Sequence, residues 1–277
     1  MIILNFNKGE IMGETLAFTN QKGGVGKTTT CINMSTYMAL MGKKVLLLDI
    51  DPQGNATSGL GKDKSQDIKS IYNVISGDCS IKEAICKTDV PNLDIVPANI
   101  ELAGAEVELV YMQSRENKLK DIIKEVKNDY DYITIDCPPS LGLLTINALT
   151  ASDGVIIPIQ CEFFALEGLS QLMNTIRLIK KQKLNINLRV DGVVLTMRDN
   201  RSNLGRQVAE EIGKFFGNVV FNVTIPRNVR LAEAPSYGMP VYLYDKNCTG
   251  SIAYLKLVEE YFNRKGINYK KIIKDKK

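Results

Sequence analysis

The feature that most constrains the fold is a glycine-rich turn between two patterns of different type. Residues 16–19 form an apolar run that predicts a short strand, and residues 28–41 predict a helix; between them the chain has the sequence NQKGGVGK. A buried strand that leads through glycines directly into a helix is typical of the start of a strand–helix–strand unit. The chain is therefore expected to build a layered α/β fold around this turn.

Further apolar runs of the same kind recur, with amphipathic segments between them. The runs are residues 44–51, 132–136, 154–160, 192–197 and 219–226, and the clearest amphipathic segments are residues 166–182 and 204–216. Continuous rather than alternating hydrophobicity predicts strands covered on both faces. Strands that alternate with helices predict a doubly wound, mostly parallel sheet with helices on both faces. Gly42 predicts the end of the first helix.

Composition excludes several kinds of chemistry. The 277-residue chain contains no histidine, which excludes Ser-His-Asp and Cys-His triads and removes the commonest metal ligand. Its six cysteines are scattered without a C-x-x-C pair, so neither a zinc site nor a disulfide framework is indicated. Acid–base chemistry is left to carboxylates and lysines.

No apolar run reaches the roughly 18 residues of a membrane span, and no signal peptide is evident, so we expect a cytoplasmic protein.

The turn matches most of a phosphate-binding loop, whose pattern is G-x-x-x-x-G-K-[ST]. Gly26, Lys27 and Thr28 fit the end of the pattern, whereas Gln21 stands where its first glycine belongs. Glycines let backbone N–H groups close on phosphate oxygens, and the helix dipole adds to the attraction. Lys27 is then expected to contact the β- and γ-phosphates, and Thr28 to give its hydroxyl to Mg²⁺. A second lysine, Lys22, is not needed to hold one nucleotide.

Acidic residues end two of the predicted strands. Asp136 ends the run 132–136, a position from which a carboxylate can hold the hydration shell of Mg²⁺. Asp49 and Asp51 lie two residues apart at the end of the run 44–51, so both are expected on one side of that strand end. Two carboxylate-ended strands alongside a phosphate loop predict a metal-dependent nucleotide site.

Four motifs, taken in order, resemble the ParA/Soj chromosome and plasmid partition ATPases, the group with a deviant phosphate loop. They are KGGVGKTTT, DIDPQGNATSGLG, DCPPSLGLLTINAL and IPRNVRLAEAPSYG, and the similarity runs from about Met12 to about Phe262. The resemblance implies a single P-loop ATPase domain over residues 12–262, with ATP and Mg²⁺ as cofactors. It also implies an ATP-dependent homodimer whose hydrolysis is weak until a partner stimulates it.

The resemblance further implies roles for single residues. Lys22 reaches across the dimer to the phosphates bound by the other subunit, where it acts as an arginine finger does. Asp51 positions the attacking water, and Asp136 serves the metal together with Thr28. The implied nucleotide-binding residues, of which the last two lie beside the adenine, are Lys22, Gly23, Gly24, Val25, Gly26, Lys27, Thr28, Thr29, Pro226 and Asn228.

Five arginines on segments that flank predicted strands are candidates for DNA contact: Arg198, Arg201, Arg206, Arg227 and Arg230. Fixed positive charge binds the phosphate backbone without reading base sequence. The resemblance points most to Arg201 and Arg230, and we add Arg227 from the same motif. It implies that the dimer associates with the nucleoid through non-specific DNA binding and is released when a ParB-type centromere-binding protein stimulates hydrolysis.

Two other functions compete with this interpretation. A membrane-associated positioning ATPase of the MinD type docks a carboxyl-terminal amphipathic helix on lipid. The carboxyl terminus of this chain has the charge but a thin apolar face, so no stable membrane association is expected. An iron–sulfur carrier related to nitrogenase reductase needs paired cluster cysteines, which are not evident.

The two ends of the chain are expected to lie outside the domain. Residues 1–11 are interpreted as a non-native or disordered extension, because MGETLAFTNQ from Met12 looks like a complete start. Residues 263–277 hold seven basic residues and Asp275, a net charge of +6 that leaves −2 for the rest of the +4 chain. This basic tail predicts either a solvated terminus or contact with nucleic acid or anionic lipid.

Overall fold

The computed structural model describes residues 13–64, 68–162, 165–199 and 202–271. These residues form seven strands and twelve α-helices. The strands are β1 (Glu14–Phe18), β2 (Val45–Asp49), β3 (Cys86–Lys87), β4 (Leu93–Val96), β5 (Tyr132–Asp136), β6 (Gly154–Gln160) and β7 (Arg189–Thr196). The helices are α1 (Lys27–Leu40), α2 (Asn55–Gly59), α3 (Ile71–Ser76), α4 (Ile81–Ala84), α5 (Leu102–Tyr111), α6 (Lys118–Lys124), α7 (Leu143–Ala151), α8 (Ala165–Lys181), α9 (Asn203–Phe216), α10 (Val229–Glu233), α11 (Val241–Asp245) and α12 (Thr249–Arg264).

Several predictions fall outside these ranges. The extension 1–11 with the proposed start at Met12, the side chain of Arg201 and the last six residues of the predicted tail are not among the described residues. Within the ranges that are described, no helix is both long enough and apolar enough to cross a bilayer.

The strands form one sheet in the order β3-β4-β2-β5-β1-β6-β7. Neighbouring strands are parallel, except that β3 and β4 are antiparallel. The prediction of a doubly wound, mostly parallel sheet is confirmed. Because parallel strands end at the same edge, the loops after β1, β2, β5 and β6 meet there, which is where ligands bind in sheets of this kind.

Alternate residues of the central strands pack into two separate hydrophobic cores. In β2, Leu46 and Leu48 belong to one core and Val45 and Leu47 to the other, and all four side chains are fully buried. Complete burial of one such side chain contributes roughly 2 kcal/mol. A strand that buries both faces therefore needs apolar residues at every position, which explains the continuous apolar runs in the sequence.

Helix α1 begins at Lys27, directly after the glycine-rich loop, and is buried along most of its length. It packs between the sheet and α12. Several of its polar residues find partners there; the Ser35 hydroxyl, for example, lies 2.8 Å from the hydroxyl of Thr134 in β5. Gly42 adopts a left-handed backbone with φ of 92° and its N–H donates to the carbonyl of Ala39, so the predicted helix end is confirmed.

The strand predicted over residues 219–226 is wrong. Among the described residues, this segment makes two isolated bridges, Val220 to Val193 in β7 and Pro226 to Arg198 just after it, and no continuous ladder. The N–H groups of Asn222 and Val223 donate instead to the carboxylate of Glu260 on α12, at 2.8 and 2.9 Å. Phe221 and Ile225 still donate to carbonyls of β7, but Glu260 has taken the two donors in between, and Pro226 has no N–H to extend the pairing.

Part of the segment predicted as a basic tail packs onto the domain. Helix α12 continues to Arg264, whose guanidinium lies 4.5 Å from the centre of the Phe221 ring. The Lys265 ammonium pairs with Glu14 and, at 2.6 Å, with Asp191. The predicted boundary after residue 262 therefore falls inside a helix, and acidic residues of the domain compensate some of the basic charge.

A glycine of β7 yields a stability prediction. A Cβ added to Gly192 would lie 2.0 Å from the buried ring of Phe221, whereas nothing lies within 4 Å of one added to Gly213 in α9. Gly192→Ala should lower the free energy of unfolding by about 1–3 kcal/mol, because the ring must move within a packed core. Gly213→Ala should be neutral or stabilise by up to about 1 kcal/mol. Urea denaturation of both variants checks this, and equal effects would contradict it.

Candidate nucleotide-binding site

A pocket of about 440 Å³ lies at the carboxyl edge of the sheet. Its walls come from the glycine-rich loop and α1, the segment after β2, the loop after β5, the end of β7 with the segment that follows, and α12. The lining residues are Gly23, Gly24, Gly26, Lys27, Thr28, Thr29, Asp51, Gln53, Asn55, Pro139, Thr196, Met197, Ile225, Pro226, Arg227, Asn228, Leu231, Ala232 and Tyr254. The predicted nucleotide-binding residues are brought together there, except that Lys22 and Val25 are not part of the wall.

The loop owes its shape to glycine and to a bond with β7. Gly24 and Gly26 have φ of 74° and 85°, a backbone that other residues rarely adopt. Val25, between them, is buried, and its carbonyl accepts a hydrogen bond of 2.7 Å from the Thr196 hydroxyl. Val25 therefore fixes the loop to the sheet, while the glycines on either side line the pocket.

Lys27 is held inside the loop. Its side chain is buried, and its ammonium donates a hydrogen bond of 3.0 Å to the carbonyl of Lys22. Burial lowers the pKa of Lys27, and the negative charge of Asp136 opposes that shift. A buried ammonium whose partner is a backbone carbonyl can exchange that partner for a phosphate oxygen at little cost, because a charge-assisted bond replaces a weaker one.

Lys22 belongs to the same loop but contacts a different part of the molecule. Its ammonium forms an ion pair of 2.6 Å with Glu162, just after β6. Its backbone N–H donates to the side chain of Asn20 at 3.0 Å. The two lysines of the loop thus have different surroundings. Glu162 was not predicted from the sequence, because it lies 140 residues from Lys22 and belongs to none of the recognised motifs.

Asp136 ends β5, and its carboxylate is fully buried. In the sheet it lies opposite Phe18 of β1 on one side and Asp49 of β2 on the other. Neither of its oxygens has a hydrogen-bond partner in the described part of the chain. Burial and the neighbouring charge of Asp49 raise the pKa of Asp136 well above its usual range, and Thr28 lies close enough to oppose the shift. Two unpartnered oxygens beside a hydroxyl fit a hydrated Mg²⁺, which prefers oxygen ligands.

The two carboxylates at the end of β2 have different surroundings, because Asp49 is the last residue of the strand and Asp51 lies beyond it. Asp49 accepts hydrogen bonds from the N–H and hydroxyl of Thr57, at 2.8 and 2.7 Å. Burial raises the pKa of Asp49 to about 6. Beyond Asp49 the chain leaves the strand and turns, so that Asp51 lines the pocket and accepts from the N–H of Gln53 at 3.0 Å. Asp49 holds the loop in place, and Asp51 faces the ligand space.

The segment after β7 forms the other end of the pocket. Pro226 and Asn228 line it, and the side chain of Asn228 caps α10. Their contact with adenine stays a prediction. Arg227, predicted to contact DNA, lines the same pocket, and its guanidinium has no ion pair among the described residues. Arg230 is outside the pocket wall and pairs with Glu233 at 2.9 Å.

Comparisons with known proteins identify relatives of this chain. A family model described as an AAA domain matches residues 13–190. The chain is 58% identical over 249 residues to the sporulation initiation inhibitor protein Soj of Bacillus subtilis, covering 90% of this chain and 98% of that protein. It is 51% identical over 251 residues to the chromosome partitioning protein ParA of Caulobacter vibrioides, covering 90% and 94%. A solved cobyrinic acid a,c-diamide synthase from Mycobacterium smegmatis, with bound ATP analog and magnesium, is 35% identical with a TM-score of 0.79, covering 94% and 100%.

Replacing the unpartnered carboxylate should stabilise the nucleotide-free protein. Because the pKa of Asp136 is raised in the folded state, the ionised group destabilises the fold, and this loss is complete only above the raised pKa. Asp136→Asn should therefore raise the free energy of unfolding by about 1–3 kcal/mol at pH 8, with a smaller gain at pH 5. Urea denaturation at the two pH values measures the difference.

The matched control is a buried carboxylate that has partners. Asp94 is bonded to Lys87 at 2.9 Å and to Tyr130 at 2.8 Å. Asp94→Asn should lower the free energy of unfolding, because it weakens both bonds. A loss of stability in Asp136→Asn similar to that of the control would show that Asp136 has stabilising contacts in the fold.

Proposed function

Because this chain belongs to the Soj/ParA family of chromosome-partitioning ATPases, we propose that it works as a nucleotide-controlled switch on DNA. With ATP bound, two copies form a dimer that binds nucleoid DNA without sequence preference. A ParB-type centromere-binding protein stimulates hydrolysis and so releases the dimer. The output of the cycle is a change in binding free energy rather than a chemical product.

The observation that supports this switch best is that the two lysines of the loop, Lys22 and Lys27, contact different parts of the molecule. Lys27 lines the pocket of its own chain, whereas the ammonium of Lys22 pairs with Glu162 and is not part of that wall. Lys22 is therefore not committed to the nucleotide of its own chain, and once released from Glu162 it can reach phosphates bound by a second copy. Two polyphosphates brought together at an interface repel each other, and a cation from the opposite subunit offsets that repulsion.

ATP and Mg²⁺ fit the residues of the pocket. When bound, Mg²⁺ would supply positive charge that offsets the negative charge developing during phosphoryl transfer. Asp136 and Thr28 are the residues that would hold it, and the backbone N–H groups of the glycine loop hold the phosphates. Lys27 gives up the carbonyl of Lys22 and donates to a phosphate oxygen.

Asp51 is the residue we assign to the attacking water. Its carboxylate lies on the pocket wall, with one oxygen bonded to the N–H of Gln53 at 3.0 Å. The N–H of Asp51 donates back to Asp49, which Thr57 holds in turn. A carboxylate fixed in this way can orient a water molecule without first losing side-chain freedom, which is the advantage of a pre-positioned group.

We assign DNA contact to Arg230, together with Arg201. Arg230 is half-exposed and compensated by two carboxylates, Glu233 at 2.9 Å and Asp245 at 3.7 Å. DNA phosphate must compete with these carboxylates for the guanidinium. Arg227 was also predicted to contact DNA, but it lies on the pocket wall. A substitution of Arg227 would therefore alter nucleotide binding as well as any DNA contact.

Changing each lysine separately tests the switch. Lys22→Ala should keep nucleotide affinity within roughly tenfold of wild type, about 1.4 kcal/mol, because Lys27 and the backbone cradle remain. It should lose ATP-dependent dimerisation. Lys27→Ala should instead lose nucleotide binding. Analytical ultracentrifugation with a slowly hydrolysed ATP analogue, alongside nucleotide titration, distinguishes the two. Normal dimerisation of Lys22→Ala would show that Lys22 does not act on the other subunit.

Reversing one arginine tests the DNA surface. Arg230→Glu should weaken binding of the ATP-bound protein to all DNA sequences and lower the slope of log affinity against log salt by about one. Arg177, an exposed arginine on α8, supplies the control Arg177→Glu, which carries the same charge change elsewhere. Filter binding at several salt concentrations measures both. Equal losses in the two variants would indicate a general charge effect and remove Arg230 from the contact surface.

A further inference from the structure

We propose that Glu162 is a positioning residue that holds Lys22 within its own subunit and so opposes its transfer to a second one. The inference rests on the proposed function, since it concerns the lysine assigned there to the partner's phosphates. Glu162 lies outside the recognised motifs. Its ion pair with Lys22 is proposed to slow dimer formation.

The contact is built at the carboxyl end of β6. The Lys22 ammonium and the Glu162 carboxylate are 2.6 Å apart. The backbone N–H of Lys22 donates to Asn20, and the Asn20 amide donates in turn to the carbonyl of Pro158 in β6 at 2.8 Å. The Glu162 N–H donates to the carbonyl of Gln160, the last residue of β6, at 2.8 Å. Both partners are thus attached to the end of one strand, which brings their side chains together.

A second contact links this pair to the nucleotide pocket. The Lys27 ammonium donates to the carbonyl of Lys22, so Lys22 is held through its N–H, its carbonyl and its ammonium. A nucleotide phosphate that takes the Lys27 ammonium removes the second of these bonds. The ion pair with Glu162 is then the side-chain contact that must break before Lys22 can reach another subunit. Nucleotide binding therefore loosens Lys22, and Glu162 sets how readily the ammonium is released.

The exposure of the pair determines how strong this restraint is. The side chains of Lys22 and Glu162 are 35% and 48% exposed. Solvent screens an ion pair of that kind, so its contribution is small. Glu162 therefore slows the release of Lys22 by a modest factor, and phosphates of a second subunit, with their higher charge, can displace it.

The test removes the charge and keeps the size of the side chain. Glu162→Gln should raise the association rate constant of ATP-analogue-dependent dimerisation about two- to fivefold. The dissociation rate constant should not change, because the contact exists only before the dimer forms. Nucleotide affinity should also equal that of wild type, since Glu162 is not on the pocket wall. Stopped-flow light scattering after mixing with the analogue gives association, and dilution gives dissociation.

The matched control is Glu167→Gln. Glu167 is an exposed acid on α8, close in sequence to Glu162, and removing its charge changes the net charge of the chain by the same amount. Both rate constants should remain those of wild type. A rate increase equal to that of Glu162→Gln would mean that general charge, rather than the Lys22 contact, controls association, and would overturn the proposal.

Two other results would also overturn it. An unchanged or slower association of Glu162→Gln would show that Glu162 does not restrain Lys22. A changed dissociation rate would place Glu162 in the dimer contact instead. The proposed function is tested separately, by whether the wild-type protein dimerises with the ATP analogue. A wild type that stays monomeric contradicts that function, whereas a dimerising wild type with an unresponsive variant contradicts the role of Glu162 alone.

Discussion

Parallel pairing of β2, β5 and β1 is the constraint on which the site depends. The register places Asp49 opposite Asp136, and Asp136 opposite Phe18, so three strand ends stop in line. The glycine loop, the metal-side carboxylate and the loop that carries Asp51 are neighbours for this reason. The sheet can maintain that alignment because both of its faces are covered by apolar cores, which leave the backbone no alternative partners inside the molecule.

The same alignment concentrates negative charge where water is excluded. Asp49 and Asp136 are both fully buried, and burial raises the pKa of each. The two carboxylates differ in whether hydrogen bonds offset the free-energy cost of burying them. Asp49 has hydrogen bonds from Thr57, whereas the oxygens of Asp136 have no partner in the described chain. An arrangement that is unfavourable for stability but favourable for a cation is typical of a functional site.

Positive charge in the loop is arranged in the opposite way, with each ammonium already occupied. Lys27 is bonded to the carbonyl of Lys22, and Lys22 is paired with Glu162. Neither lysine is an unsatisfied buried charge, so the loop can persist without a ligand. Since one lysine is bonded to the backbone of the other, a ligand that takes Lys27 also alters the restraint on Lys22. The nucleotide site and the surface offered to a second copy are thus connected through two contacts, the Lys27–Lys22 hydrogen bond and the Lys22–Glu162 ion pair.

The sequence by itself determined the features that depend on local pattern, namely strands, a helix end and the glycine-rich loop. The runs 132–136 and 154–160 became β5 and β6 with those same bounds, and Gly42 ended α1 as predicted, because burial on two faces and a left-handed turn each leave a clear local signature. Recognition of the loop likewise needed only neighbouring residues. Tertiary structure decided what depends on contacts between distant residues. Glu260 accepts the N–H groups of Asn222 and Val223, Thr57 holds Asp49 apart from the ligand space that Asp51 faces, and Glu162 pairs with Lys22 across 140 positions. A side chain that satisfies a distant donor leaves no trace in the sequence around that donor, because the bond depends on position in space and not on order along the chain.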